Sequence, residues 1–266
     1  MTKMRPGSDT VQENHHLEVE DLTVTHGEAK LVDRVGFRIE RGTILALLGP
    51  SGAGKTTLLR SLNRLIDLDE RLEVSGSIRI DGQDIRDSRV DPNILRQRVG
   101  MIFQKPVVFP GSIRDNAVFG VRHLGLRPRF EEDETVRRVL IQAGLHDEVV
   151  SRLHRPASEL SQGQQQRLCI ARALGIEPEI ILFDEPTSSL DPRSTGVIEA
   201  AIRSLGEERC VVLVTHDLEQ ARRVAHRVGL MHEGRLVELS DAQEFFGNPQ
   251  HEITKEYLGR GSTRGV

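Results

Sequence analysis

A glycine-rich segment, GPSGAGKT at residues 49–56, follows the apolar strand pattern TILALL and opens a predicted helix. Its three glycines permit a tight turn in which backbone N–H groups converge at the positive end of a helix dipole. Such a segment binds phosphate: Lys55 would neutralise the β- and γ-phosphates of a nucleoside triphosphate, and the Thr56 hydroxyl would ligate Mg²⁺. The candidate nucleotide-binding residues are Gly49, Pro50, Ser51, Gly52, Ala53, Gly54, Lys55, Thr56 and Thr57.

Two adjacent carboxylates, Asp184 and Glu185, end the apolar strand pattern IILFDE. Burying them there is costly unless a cation lies nearby, and a strand end beside the phosphate loop would provide Mg²⁺. Because successive strand residues point to opposite sides, we expect Asp184 to serve the metal and Glu185 to polarise the attacking water. His216 ends another apolar strand and is a candidate contact for the γ-phosphate or Glu185, the alternative being an ordinary strand-end histidine.

A second candidate anion site lies at the start of the helical pattern LSQGQQQRLCIARAL, residues 160–174. The small residues Ser161 and Gly163 stand at the N-terminus of the predicted helix, where backbone N–H groups can approach an anion closely. Gln162 stands between them, a bulky residue in a place that suits small ones.

Strand and helix patterns alternate along the chain, which predicts an α/β core. Residues 106–165 differ, because they are rich in helical periodicity, as in EEDETVRRVLIQAGL, and poor in strand pattern. We therefore predict a helical subdomain inserted into one domain at 17–257, with a flexible N-terminal tail at 1–16 and a C-terminal tail at 258–266. Phe245 and Phe246, near the end of the domain, are expected to pack on the same chain, and a partner surface is the alternative.

Composition narrows the class of protein. The chain has 266 residues, a net charge of −4 and a pI near 6.2, so it offers no broad basic surface for nucleic acid. It contains no apolar run of about 20 residues, and its start lacks the apolar core of a signal peptide, so we expect a cytoplasmic protein. Cys169 and Cys210 are interpreted as reduced packing residues. His15 and His16 could be half of a metal site, but we expect them to be solvated in the tail.

Six motifs occur in the order found in ATP-binding cassette (ABC) ATPases: the glycine loop, Gln104 after a strand, LSQGQ, IILFDE, SSLD and the His216 turn. The chain resembles this family from Leu17 to about Tyr257. The resemblance implies an α/β P-loop NTPase core with an antiparallel β subdomain and an inserted helical subdomain. It also implies that two copies pack head to tail, with LSQGQ of one closing over the γ-phosphate held by the other.

The resemblance also implies roles for residues within one copy. Gln104 would sense the metal and the attacking water, which makes it a candidate catalytic residue with Glu185 and His216. It also joins Thr56 and Asp184 as a candidate metal ligand.

Other implied roles concern the nucleotide and the second copy. Ser161, Gly163 and Gln164 would bind the ATP held by the partner, and Asp191 in SSLD would reach across the dimer. His26 stands where the family usually has an aromatic residue that stacks on adenine, so stacking is expected to be weaker, and a plain surface-loop role is the alternative.

The segment MIFQKPVVFPGSIRDNAVFGVR is similar in sequence to the corresponding segment of the ATPase subunits of bacterial and archaeal phosphate importers. That likeness implies two membrane-spanning permease subunits, an external phosphate-binding protein and a peripheral location on the cytoplasmic face of the inner membrane. Import of another solute, an oxyanion or a polar amino acid, stays open. Cassette proteins of DNA repair need a long coiled-coil insertion and those of translation carry two cassettes on one chain, and this chain has neither. A catalytically silent binding module is disfavoured by the complete set of candidate catalytic residues.

Residues Lys105 to Asn116 follow Gln104 directly, so movement of that glutamine should displace this loop. Phe109 and Ile113 are apolar residues within it, and we predict that they line a groove for a short helix of the membrane subunit. The alternative is that they close the subdomain's own core.

Overall fold

The computed structural model of the chain describes residues 16–124 and 131–262, and for residues 260–262 it describes the backbone alone. The predicted N-terminal tail therefore lies outside the described residues, except for His16. Within the described ranges, no helix has the length and apolar character needed to cross a bilayer.

The strands form two sheets in the described part of the chain. The strands are β1 Leu17–His26, β2 Ala29–Ile39, β3 Ile44–Leu48, β4 Leu72–Ile80, β5 Gln83–Asp84, β6 Val99–Ile102, β7 Ile180–Asp184, β8 Cys210–Val214, β9 Arg227–His232 and β10 Arg235–Asp241. A four-stranded antiparallel sheet has the order β2-β1-β4-β5, and a six-stranded sheet has the order β10-β9-β3-β8-β7-β6. In the larger sheet only β10 is antiparallel to its neighbour.

Helices follow most strands of the larger sheet. They are α1 Lys55–Ser61, α2 Pro92–Arg98, α3 Ile113–Ala117, α4 Phe119–His123, α5 Glu132–Gln142, α6 His146–Val149, α7 Gln162–Leu174, α8 Pro192–Leu205, α9 Leu218–Val224, α10 Ala242–Gly247 and α11 Glu252–Ser262. Short 3-10 helices span Leu65–Leu68, Val150–Arg152 and Ala157–Glu159. The regular elements among the described residues between β6 and β7 are helices, and this region carries no strand of either sheet, as its periodicity predicts.

The central strands β3, β7 and β8 are buried along their whole length, because both faces of the sheet are covered. Successive residues of β7 face opposite cores. Leu182 belongs to the buried cluster that includes α1 and the antiparallel sheet, whereas Phe183 belongs to the cluster that includes Val139 of α5 and Leu168 of α7. The helical region is therefore fixed directly onto the sheet that carries the candidate catalytic residues.

His16 is not solvated, and the prediction of a solvated side chain is wrong for this residue. It is 2% exposed, and its Nδ1 lies 2.8 Å from Asp81 Oδ1. Glu179 lies beside it, and the two carboxylates are also paired with Arg98 and Arg41 at distances of 2.8 to 3.5 Å. Because arginines already satisfy both carboxylates, the cluster is an ion-pair network that joins the start of β1 to the larger sheet.

The C-terminal segment packs on the same chain. Phe245 of α10 is fully buried, which confirms the preferred prediction for this residue. Helix α11 continues to Ser262, beyond the predicted start of the C-terminal tail at residue 258. Both cysteines are free and buried, as expected for reduced packing residues.

Candidate active site

The carboxyl ends of four neighbouring parallel strands bring the candidate residues to one edge of the larger sheet. Strands β3, β8, β7 and β6 are consecutive neighbours. The phosphate loop follows β3, His216 lies two residues after β8, Glu185 follows β7 directly, and Gln104 lies two residues after β6. Open α/β sheets bind their ligands outside this edge, so the strand order brings these groups together at one candidate site.

Two glycines of the phosphate loop occupy positions that have no room for a side chain. Gly49 has a φ of +144° and Gly54 a φ of +92°, in the region that favours glycine. A Cβ on Gly49 would collide with the carbonyl oxygen of Met231, and one on Gly54 with that of Leu31. The loop is therefore held tightly between β2 and β9.

Lys55 is buried at the start of α1, with its ammonium group folded onto the loop. Its Nζ donates to the carbonyl oxygens of Gly49 at 2.7 Å and Pro50 at 2.9 Å. Burial lowers the pKa of Lys55, and the nearby carboxylates of Glu185 and Asp184 oppose that shift. A desolvated ammonium gains most from a ligand that brings negative charge, and a phosphate is such a ligand.

Thr56 and Asp184 form a hard-oxygen pair beside the loop. Thr56 Oγ1 donates to Asp184 Oδ1 at 2.9 Å. Burial raises the pKa of Asp184, because its carboxylate has lost water without gaining a full counter-charge. A hydroxyl and a carboxylate oxygen are ligands that Mg²⁺ prefers, and a cation would stabilise the buried carboxylate. These residues therefore fit the metal that a nucleotide site needs.

The Glu185 carboxylate is held by side chains from the two neighbouring strand ends. His216 Nδ1 lies 3.1 Å from Glu185 Oε2, and Gln104 Nε2 donates to the same oxygen at 3.4 Å. Gln104 also donates to Ser188 Oγ at 3.1 Å. Two bonds to one oxygen orient the carboxylate, and an oriented carboxylate can accept a proton from water.

The backbone of Glu185 is strained. Its φ of +46° lies in the left-handed region, which costs a residue with a side chain about 1–2 kcal/mol. A hydrogen bond from its N–H to the carbonyl oxygen of Val214, at 2.9 Å, holds this conformation in place. Strain of this kind clusters at active sites, where it aims a functional group.

Ser161 and Gln164 form a reciprocal cap at the N-terminus of α7. Gln164 N donates to Ser161 Oγ at 3.3 Å, and Ser161 N donates to Gln164 Oε1 at 3.0 Å. Gln164 Nε2 also donates to Glu148 at 2.7 Å, so both ends of this amide are used within the chain. The Ser161 hydroxyl accepts in the cap and retains its own proton for donation. Gln162 is exposed at the first helical position.

The structure does not join this cap to the phosphate loop. In the described parts of the chain, no hydrogen bond or ion pair links Ser161, Gln162 or Gln164 to residues 49–57. Within one copy, the two candidate anion-binding elements are separate.

Asp191 lies directly before α8, and His26 is the last residue of β1. Asp191 caps α8 by accepting the N–H of Ser194 at 3.0 Å. The Ser194 hydroxyl lowers the pKa of Asp191 most, and the Ser194 N–H lowers it further. His26 is exposed at the end of β1. The next strand carries Leu31, whose carbonyl group lies against Gly54, so the hairpin that begins at His26 packs next to the phosphate loop.

Sequence reasoning missed Tyr257, which contacts the phosphate loop from α11. Its hydroxyl is hydrogen-bonded to the backbone of Gly49, and burial raises the pKa of Tyr257. The ring packs against a buried cluster that includes Leu48, the residue before the loop. The sequence predicted packing of the C-terminal segment only at Phe245 and Phe246, and no sequence signal paired residue 257 with residue 49.

Phe109 and Ile113 have different surroundings. Ile113 is 1% exposed and packs in the core under the helical region, so the prediction that it lines a docking groove is wrong. Phe109 does line an apolar groove, where its ring packs 4.4 Å from that of Phe119 and the Arg172 guanidinium lies 4.1 Å above it. The exposed apolar residues of this groove are Phe103, Val107 and Leu124.

The strand order, phosphate loop and carboxylate cluster define a P-loop nucleoside triphosphatase. The sequence profile of the family described as ABC transporter matches residues 32–188, and the chain belongs to this family. It is thus an ATP-binding and ATP-hydrolysing cassette, which confirms the predicted fold class and enzyme class.

Curated relatives are similar over almost the whole chain. The chain is 46% identical over 242 residues to "Phosphate import ATP-binding protein PstB 1" of Vibrio parahaemolyticus, which covers 91% of this chain and 89% of that protein. It is also 46% identical to the "Phosphate import ATP-binding protein PstB" of Thermotoga maritima, with 91% of this chain and 96% of that protein covered.

A solved structure of a bacterial Atm1-family ABC exporter with ATP bound has the same fold. The TM-score is 0.77 at 26% identity, and 94% of this chain is covered. This chain spans 42% of the exporter chain.

Proposed function

We propose that the chain is the ATP-hydrolysing subunit of an importer for inorganic phosphate. The observation that carries hydrolysis is the Glu185 carboxylate, held by Gln104 and His216 at the strand ends beside the phosphate loop. The cargo is supported by the printed function of relatives that are 46% identical over about nine-tenths of the chain.

Different residues of the candidate site bind the phosphates, accept the proton of water and hold the metal. Lys55 and the backbone of the phosphate loop bind the phosphates, and Glu185 orients water and accepts its proton. His216 and Gln104 hold Glu185 in the reactive orientation, and His216 would contact the γ-phosphate. Thr56, Asp184 and Gln104 would hold Mg²⁺, which would supply positive charge to the phosphates during transfer.

His26 is proposed to contact the adenine ring. It is exposed on the hairpin that packs next to the phosphate loop, where an imidazole can stack on a base. Because imidazole offers less area than tyrosine, this contact should contribute little to affinity.

A second copy completes the site. Ser161 keeps a hydroxyl proton free at the N-terminus of α7, yet within one copy that cap is not joined to the phosphate loop. In a head-to-tail homodimer, Ser161, Gly163 and Gln164 of one copy would face the nucleotide of the other, with Asp191 reaching across. Since the Gln164 amide is already bonded within its own chain, we assign it to shaping the cap rather than to direct contact.

Replacing Gln162 with glycine should preserve ATP hydrolysis or raise it by a few-fold. Ordering the exposed glutamine in a closed dimer costs about 1 to 2 kcal/mol of side-chain entropy. A new hydrogen bond would return only about 0.5 to 1.5 kcal/mol, so removing the side chain should lower the ATP concentration needed for dimerisation. Light scattering against ATP concentration measures this.

Ser161→Ala is the matched comparison for Gln162→Gly and should weaken both hydrolysis and dimerisation, because it removes the available donor. If Gln162→Gly abolished hydrolysis in a folded protein, the glutamine amide would be a required ligand of the partner's nucleotide.

The membrane partners are proposed to be two permease subunits, supplied by an external phosphate-binding protein. The groove that contains Phe109 and the exposed Val107 would receive a short apolar helix of the permease. It follows Gln104 in the sequence, so a change at the catalytic edge can reach it within a few residues. This docking would place the chain on the cytoplasmic face of the inner membrane.

Gene deletion tests the cargo. A strain that lacks this gene should lose uptake of labelled phosphate and keep uptake of sulfate, molybdate and glutamine, and a plasmid copy should restore it. Loss of another solute's uptake with phosphate uptake intact would replace the proposed cargo with that solute.

A further inference from the structure

Gly163 of α7 is packed against Ser194 of α8 at unusually short range. A Cβ on Gly163 would lie 2.7 Å from Ser194 Cβ and closer still to its Oγ. The hydroxyl could rotate away, but Ser194 Cβ can move only with the backbone of α8. The position therefore excludes any residue larger than glycine unless the two helices separate.

Backbone conformation does not explain the glycine. Gly163 lies in the first turn of α7, and its φ is not positive, so an alanine could adopt the same conformation. In a helix, alanine is normally more stable than glycine. The contact with Ser194 is thus the feature within this chain that demands a glycine.

The same contact joins the two elements that one copy would present to the other. Ser194 N donates to Asp191, whose side chain caps α8, and Ser161 caps α7 two residues before Gly163. Further along, Leu168 of α7 and Ile198 of α8 belong to one fully buried cluster. The helices therefore cannot separate without opening that core.

We propose that Ser194 is a positioning residue that sets the spacing between the Ser161 cap and the Asp191 loop through its contact with Gly163. This inference rests on the proposed head-to-tail dimer, in which both elements face the nucleotide of the second copy. The glycine is then required by its own chain, and not only for close approach to the partner's phosphate.

A rescue experiment tests the proposal in the full chain. Gly163→Ala should lower the melting temperature without nucleotide and reduce ATP hydrolysis and ATP-dependent dimerisation by about tenfold. Adding Ser194→Gly should bring all three to within about threefold, or a few degrees, of the Ser194→Gly single variant. Ser194→Ala should rescue only in part, because it removes Oγ but leaves Cβ.

Gly196→Ala is the matched control on α8. A Cβ there meets nothing within 4 Å, so the melting temperature should hold or rise and hydrolysis should stay unchanged. If Gly163→Ala proves insoluble, Ser194→Val approaches the same contact from the other side and should lower dimerisation and melting temperature together.

The outcomes separate this inference from the proposed function. The inference is overturned if Ser194→Gly restores neither the melting temperature nor ATP-dependent dimerisation of Gly163→Ala. It is also overturned if Gly163→Ala does not lower the melting temperature. If Ser194→Gly rescues the melting temperature but not dimerisation, the second copy itself demands the glycine, which also overturns it. A wild-type chain that hydrolyses ATP without ATP-dependent dimerisation would remove the head-to-tail assembly, while the melting temperatures would still decide whether the contact excludes alanine.

Discussion

Replacing Glu185 with glutamine is expected to reduce ATP hydrolysis by about a hundredfold or more while ATP binding persists, because general-base catalysis contributes about 10²–10⁴-fold. Glutamine has nearly the same shape and can keep a hydrogen bond to His216, but it cannot accept the proton of water. With hydrolysis blocked, the variant should accumulate as an ATP-bound closed dimer. Phosphate release measures turnover, and light scattering with ATP and Mg²⁺ measures the dimer.

Glu208→Gln is the control for Glu185→Gln, since the Glu208 side chain is 80% exposed and pairs only loosely with Arg209. It should hydrolyse ATP at the wild-type rate and should not trap a dimer. A Glu185→Gln protein that stayed monomeric with ATP and turned over normally would contradict both the proton-accepting role and the shared nucleotide site.

The second large effect is expected at the apolar groove that contains Phe109 and Val107, the proposed docking site for the permease. Val107→Asp should abolish phosphate uptake while ATP hydrolysis by the isolated subunit changes less than about twofold. Val107 is 59% exposed, so a carboxylate there costs the fold little. Against a docked apolar helix, however, the carboxylate would be desolvated, which should weaken the complex by about tenfold or more.

Val150→Asp is the matched control, because Val150 is 50% exposed in the same helical region but does not line the groove. It should retain both uptake and hydrolysis. Equal loss of uptake in the two variants, or parallel loss of hydrolysis and uptake in Val107→Asp, would indicate a folding defect and remove the groove from the transport mechanism.

The sequence was sufficient to predict which candidate residues lie at the carboxyl edge of the larger sheet. Apolar runs such as ILALL and IILFD are buried strands because both sheet faces are covered, and polar residues directly after such runs must lie at the sheet edge. The spacing of glycines, lysine and threonine in GPSGAGKT, directly after a strand and before a helix, is typical of a phosphate-binding loop. Local pattern and tertiary structure therefore agree at Lys55, Asp184 and Glu185.

Long-range contacts were not predictable in the same way. His16 is buried because Asp81 and Glu179, far along the chain, fold onto it, and no local pattern carries that information. Ile113 follows the Ser112 cap and faces inward, whereas Val107 and Phe109 before it line the groove. Gly163 was read as a glycine that lets an anion approach, but only the structure reveals Ser194 beside it.

Reconstituted transport measures directly whether this chain couples ATP hydrolysis to phosphate import. Vesicles would contain the permease subunits and this chain, with the external phosphate-binding protein on one side and ATP on the other, and ATP hydrolysis would be measured together with labelled phosphate uptake. We expect phosphate to accumulate in proportion to the ATP hydrolysed and sulfate not to accumulate. Glu185→Gln should eliminate both hydrolysis and accumulation. Phosphate accumulation that continued with Glu185→Gln, or ATP hydrolysis that drove another solute and not phosphate, would contradict the proposed function.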